Sequence, residues 1–120
     1  MFVQSKSTSP SRKRINLVSY ILLQQGDVRD TNLTVTWVEI DVGSQQLLHH
    51  HQPEQVYVVV TGKGRMRVGD DDREVATGNL IHIPPDVPHG IENIGDEILS
   101  YVSATTPAFD FKAFYDEGHV

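Results

Sequence analysis

The chain reads as an all-β domain, a sandwich or barrel of short antiparallel strands. Short segments rich in Val, Ile, Thr, Tyr and Leu recur along most of its length, each bounded by Gly, Pro, Asn or Asp. That rhythm of strand and turn signals is the mark of sandwiches and barrels. No stretch sustains the apolar spacing of period 3.6 that an α/β architecture would need. A length of 120 residues fits one domain and is enough to bury a core without staples.

The elements follow in order. Residues 1–14, rich in Ser, Thr, Pro and basic side chains, read as a flexible basic N-terminal arm, which leaves 15–120 as the folded domain. Asn16 to Gln25 is the first strand. Its apolar run faintly resembles a signal peptide, but Asn16, Ser19 and Tyr20 interrupt it and Gln24-Gln25-Gly26-Asp27 is a poor cleavage site. Asn32 to Val42 is the second strand, with Leu33, Val35 and Trp37 on one face and Thr34, Thr36, Val38 and Ile40 on the other. Gln46 to His51 is the third, and Val56 to Thr61 is β-branched and aromatic enough to be buried. Arg65–Val68 and Arg73–Ala76 flank Gly69-Asp70-Asp71-Asp72 and read as a hairpin. Leu80–Ile83 ends at Pro84-Pro85; Gly90–Ile94 and Ile98–Ala104 complete the strands. Phe109–Glu117 is the single helical segment expected, a short one at the C-terminus.

Charge narrows the function classes. The net charge is −6, yet Lys6, Arg12, Lys13 and Arg14 put +4 into the first fourteen residues, so residues 15–120 carry −10. So acidic a body repels nucleic acid and anionic membranes, and the arm reads as a solvated terminus rather than a nucleic-acid tail. No apolar run reaches bilayer-spanning length. Cysteine is absent, which excludes disulfides, thiolate metal sites and thiol nucleophiles, and suits a cytoplasmic protein.

The chemistry concentrates in two stretches. His49 and His51 share one face of a strand while His50 points away. Pro53 cannot donate to a central ladder, so the chain should bend there and resume pairing near Gln55. Counting by two from Gln55 gives Tyr57, Val59 and Thr61, one continuous face, which brings Gln55 into the same cavity and sends Glu54 to the opposite side. His89 follows the stiff loop Pro84-Pro85-Asp86-Val87-Pro88, a rigid support suited to a pre-organised site. His49, His51, Gln55 and His89 are thus candidate ligands of one divalent metal ion. His50 reads as an exposed neighbour, His82 as a residue beside the Pro loop, and His119 as part of the tail. Asp70-Asp71-Asp72 lacks the spaced oxygen ligands of a calcium loop. Tyr57 and Tyr101 are candidates for the pocket wall, as acid or supporting donor. Glu39, which shares a face with Trp37, is the candidate general base if that face is inward. No Gly-rich phosphate loop and no nucleophile elbow occurs.

These two stretches resemble the paired signature motifs of the cupin superfamily. Gly43, His49, His51, Gln55 and Gly62 stand at the first motif's spacing, with Gln55 where glutamate is usual. Gly78, Pro84, Asp86, His89 and Asn93 stand at the second's, with Asp86 in place of glycine. The resemblance implies a double-stranded β-helix or jelly-roll barrel of the RmlC-like kind, one metal ion (Ni, Mn, Fe, Co or Zn) in its mouth, and a homodimer. It also implies isomerase, lyase or dioxygenase activity on a small molecule. Asp tolerates turn conformations, so its substitution is mild. Gln55 matters more. Three imidazoles and a carboxamide are all neutral, leaving the ion at a formal +2, which favours Lewis-acid work over a ferric centre. The expectation is isomerisation or tautomerisation of a sugar acid or ketone through enolate stabilisation. Alternatives are a dioxygenase, a non-enzymatic module that senses a ligand or metal, and a metal-free epimerase using a histidine base.

Overall fold

The computed structural model describes residues 1–108, so the helix expected at Phe109–Glu117, and His119, lie outside the described residues. Among the described residues, ten strands form two antiparallel sheets: β1 Ser11–Arg14, β2 Leu17–Leu23, β3 Thr34–Ile40, β4 Gln45–His49, β5 Glu54–Thr61, β6 Lys63–Val68, β7 Asp71–Ala76, β8 Leu80–Ile83, β9 His89–Asn93 and β10 Leu99–Thr106. The larger sheet runs β1-β2-β3-β10-β5-β8 and the smaller β4-β9-β6-β7. The strand rhythm predicts such an all-β sandwich or barrel, and the resemblance to the cupin superfamily implies its jelly-roll form. Among the described residues no helix is long and apolar enough to cross a membrane.

Period-two alternation decides which side chains fill the space between the sheets. On β3, Thr34, Thr36, Val38 and Ile40 are buried while Val35, Trp37 and Glu39 are not. On β5, Gln55, Tyr57 and Val59 turn inward. Leu17, Val38, Ile40, Tyr57, Val59, Met66, Val75, Ile83, Ile91, Leu99 and Tyr101 form one apolar cluster contributed by both sheets.

Three features depart from the sequence-based expectation. First, Ser11–Arg14 are not part of a free arm. They pair with β2 from Ser11↔Tyr20 to Arg14↔Leu17, and Lys6 reaches back to Glu39 at 2.7 Å while lying over the rings of Trp37 and Tyr20. Second, the β6–β7 hairpin is tighter than a four-residue turn. Val68 pairs with Asp71, leaving Gly69-Asp70 as the loop, and Asp71 and Asp72 join the ladder. Ion pairs from Arg65 to Asp72 and from Lys63 to Glu74 account for acids in a strand. Third, β4 carries an irregularity between Gln46 and His49, after which His49 pairs directly with His89.

Several turns rest on backbone that L side chains seldom adopt. Gly62, at φ +89, lies where an added Cβ would sit 2.9 Å from the Ile98 carbonyl oxygen and 3.0 Å from Leu99 Cα, so the β5–β6 turn needs glycine on two counts. Asp86 sits at φ 61, the left-handed conformation that its replacement of glycine had implied. Asn93 donates from Nδ2 to the carbonyls of Ile40 and Glu97, and its Oδ1 accepts from the Gly95 N–H. That side chain ties the turn before β10 to the end of β3.

Candidate metal centre

His49 ends β4, His89 begins β9 and His51 lies in the segment that carries the chain from the smaller sheet to the larger. One ring nitrogen from each of the three lies within 4.8 Å of the others, and the ring centroids of His49 and His89 are 4.3 Å apart. Among the described residues no Asp or Glu joins this cluster.

The hydrogen bonds decide which nitrogen of each ring is available. His49 Nδ1 lies 2.8 Å from the Leu47 carbonyl oxygen, His51 Nδ1 3.0 Å from that of Pro53, and His89 Nδ1 2.9 Å from that of Val87. A carbonyl only accepts, so each Nδ1 carries the proton and each Nε2 keeps its lone pair. Each carbonyl belongs to a residue two positions away, so the local backbone fixes both ring and tautomer. Metal-ligating histidines commonly donate their other ring N–H in this way, to a backbone carbonyl, a carboxylate or water.

His89 supplies the test of fit. Its side chain is fully buried, and Nε2 has no hydrogen-bond partner among the described residues. A buried, unsatisfied acceptor is costly unless something fills its lone pair. Gln55 gives a parallel observation. Its Oε1 stands 2.8 Å from His51 Nε2, and in the tautomer fixed by Pro53 both atoms are acceptors. Two acceptors at that distance need a cation or a proton near both. The residues present therefore fit a metal ion, with His49, His51 and His89 able to hold it.

Burial also favours the neutral form of two of these rings, His89 and His49. The His89 pKa is pushed down to about 4, chiefly by desolvation, partly countered by the bond to Val87 and reinforced by the neighbouring histidines. His49 is lowered for the same leading reason. Neutral imidazole is the form that ligates metal.

Tyr57 and Tyr101 pack beneath the histidines. Their rings stack at 4.2 Å, and Tyr57 meets His89 edge-on at 6.1 Å. Both hydroxyls donate to Gln46 Oε1. Burial raises both phenol pKa values above the ordinary range, so they stay protonated and act as wall and hydrogen-bond donors. Glu39 is not brought to the site. Its face of β3 points outward, where its carboxylate accepts from Trp37 Nε1 and pairs with Lys6. The parity of β3 left that face undecided, and the inward choice is corrected. Glu54 lies opposite Gln55, as parity requires, and pairs with an exposed His82; His50 is exposed too.

Two residues escaped the sequence-based reading. Ser103 accepts a hydrogen bond from Gln55 Nε2; its parity with Tyr101 on β10 was the available signal. Gln46 accepts both tyrosine hydroxyls, and the irregularity between it and His49 hides it from any count by two.

Comparison with known proteins bears on this arrangement. Protein MJ1618 of Methanocaldococcus jannaschii, itself uncharacterized, is 39 % identical over 71 residues, covering 58 % of this chain and 57 % of that protein. Gentisate 1,2-dioxygenase of a Haloferax species is 35 % identical over 69 residues, 58 % of this chain and 19 % of the dioxygenase. The chain thus spans little more than half of the first relative and a fifth of the second. The crystal structure of an RmlC-like cupin from Shewanella frigidimarina matches with a TM-score of 0.75 at 20 % identity, over 92 % of this chain and 99 % of that one, a likeness of fold. Residues 36–105, which span β3 to β10 and all three histidines, match the cupin domain model, and the chain belongs to the cupin family.

Proposed function

We propose that this cupin is a metal-dependent enzyme acting on a small, oxygen-rich molecule, with one divalent ion held by His49, His51, Gln55 and His89. The observation that carries the reading is the shared tautomer. Three Nδ1–H groups are spent on backbone carbonyls, so three Nε2 lone pairs remain for one ion. When bound, such an ion supplies Lewis acidity toward a carbonyl, enediol or carboxylate oxygen. The carbonyls of Leu47, Pro53 and Val87 hold the rings in place, and the stacked tyrosines exclude water from behind His89.

The donor set is neutral throughout. It suits a divalent ion and redox-neutral work, such as isomerisation or tautomerisation of a sugar acid or ketone, better than a ferric state that wants anionic ligands. A dioxygenase is the second reading, favoured by the likeness to gentisate 1,2-dioxygenase. A homodimer goes with either, supported by exposed Val58 and Leu80 on the outer face of the larger sheet; light scattering should give twice the chain mass.

Metal analysis of purified protein followed by a substrate screen separates these readings. Near-stoichiometric Ni, Mn, Fe, Co or Zn is expected, and less than about a tenth of an equivalent even after metal supplementation would exclude the metal-dependent reading. Uronates, keto-sugars and 1,3-diketones are then offered in an oxygen electrode cell. Substrate turnover without oxygen uptake is the expected result; uptake matched to substrate loss would establish the dioxygenase instead.

A further inference from the structure

The two sheets end in the edge strands β7 and β8, which Thr77-Gly78-Asn79 joins. Between these edges lies a cleft of about 450 Å3, a volume in the range of small-molecule sites. Its floor is apolar. Met66 and Val75 belong to the core cluster, and Val68 and Ile81 pack against that cluster, partly buried. Val68 also bounds the cleft toward the metal centre, since it pairs with His89 on one side and with Asp71 on the other.

The β6–β7 hairpin sorts its charges by face. Lys63, Arg65 and Arg67 share the outer face of β6, and Asp72 and Glu74 share that of β7. There Lys63 meets Glu74, Arg65 meets Asp72, and Arg67 Nε donates to the Gly69 carbonyl. Arg73 has the opposite parity. It pairs with buried Met66 and shares the inner face with buried Val75, so it stands over the cleft. Among the described residues, no group accepts a hydrogen bond or an ion pair from its guanidinium. Asp71 lines the cleft from the same face without pairing to it.

An unpaired guanidinium over an apolar floor is complementary to a ligand with an apolar body and an anionic head. A carboxylate matches the guanidinium fork with two parallel hydrogen bonds. Asp71 limits the charge such a ligand can carry. It repels a second carboxylate, and it disfavours a phosphate, which holds nearly two negative charges at neutral pH. We propose that this cleft binds a monocarboxylate with an apolar chain, Arg73 taking the carboxylate while Met66, Val68 and Ile81 take the chain. The site is separate from the metal centre and needs no ion.

Methyl and Arg Nε–H NMR titrations of the metal-free, full-length protein at constant pH test this. Hexanoate, hexan-1-ol and adipate present one six-carbon chain with one, no and two carboxylates. Hexanoate should give saturable shifts at Met66, Val68, Ile81 and Arg73 Nε–H, and none at Val58 on the outer face. Hexan-1-ol and adipate should each bind about tenfold more weakly than hexanoate. Arg73→Gln, a change at an exposed position, should lower hexanoate affinity about tenfold without altering the circular dichroism, and Arg73→Lys should fall between the two. Asp71→Asn should bring adipate close to hexanoate. Absence of saturable shifts up to about 50 mM hexanoate would overturn the proposal, since a ligand of that size in a built site should bind in the millimolar range. Equal binding of the alcohol and the acid, or unchanged affinity in Arg73→Gln, would overturn it too, and adipate binding more tightly than hexanoate would overturn the single-charge limit. None of these outcomes bears on the metal centre, which Co2+ binding tests by itself.

Discussion

Each imidazole in the centre gives up one nitrogen to a carbonyl two residues away and keeps the other for a ligand. Geometry of this kind makes the three histidines unequal to substitution by size alone. His49→Ala, His51→Ala or His89→Ala should each lower Co2+ affinity by at least about tenfold, measured by competition with a chelating dye. His50→Ala and His82→Ala, both of exposed residues, should leave it unchanged. Burial also sets a pH dependence in the metal-free protein. The unfolded chain binds a proton on His89 near pH 6.5, the folded chain only near pH 4. Between those values the unfolded state holds more protons, so acid favours unfolding. Stability is full above about pH 6.5, falls as the pH drops toward 4, and loses nothing more from this group below that. The urea midpoint of metal-free protein should therefore fall between pH 7 and pH 4.5, and His89→Gln should show a shallower fall. Parallel slopes would mean that His89 is not held neutral by the fold.

At the scale of the element, several turns depend on backbone that L side chains seldom adopt. Gly62→Ala places a methyl group against Ile98 backbone at positive φ, and should destabilise the protein by about 1–3 kcal/mol in urea unfolding. Asp86→Gly, at φ 61, should be close to neutral, since glycine accepts that conformation at least as readily. The strands themselves were legible because period two is a strong signal, and Gln46–His51, Val56–Thr61 and Gly90–Ile94 all fall within two residues of β4, β5 and β9. The metal cluster was legible for a related reason: ligand spacing and the Pro-rich loop survive in one dimension. What was not legible depended on facts beyond the strand. Both faces of β3 carry apolar residues, so Trp37 and Glu39 could have faced either way, and only the opposing sheet decides. Asp71 and Asp72 look like turn residues until Val68 and Arg67 stand across from them and Arg65 pairs diagonally with Asp72. Ser11–Arg14 look solvated until β2 offers an edge. In each case the missing information was the partner.

For the whole molecule, the position of the centre between the sheets has a thermodynamic consequence. His49 and His89 stand on the smaller sheet, Gln55 on the larger, and His51 on the connection between β4 and β5. An ion held by all four would clamp the two sheets together, and the unfolded chain would have no such site. Binding that is confined to the native state stabilises by mass action, about 2.7 kcal/mol at a free ion concentration one hundred times Kd. For a domain of this size that corresponds to a rise in Tm of roughly 10 °C. Addition of Co2+ or Zn2+ to metal-free wild type should produce that rise, EDTA should reverse it, and His89→Ala should not respond. Hydrogen exchange distinguishes a clamp from a local effect. If the ion joins the sheets, protection should grow in β5, β9 and β10 alike, because these strands open only when the sandwich does. Protection gained only around Gln52-Pro53, with Tm unmoved, would mean that the ion orders the connection and leaves the stability of the two sheets to their apolar core.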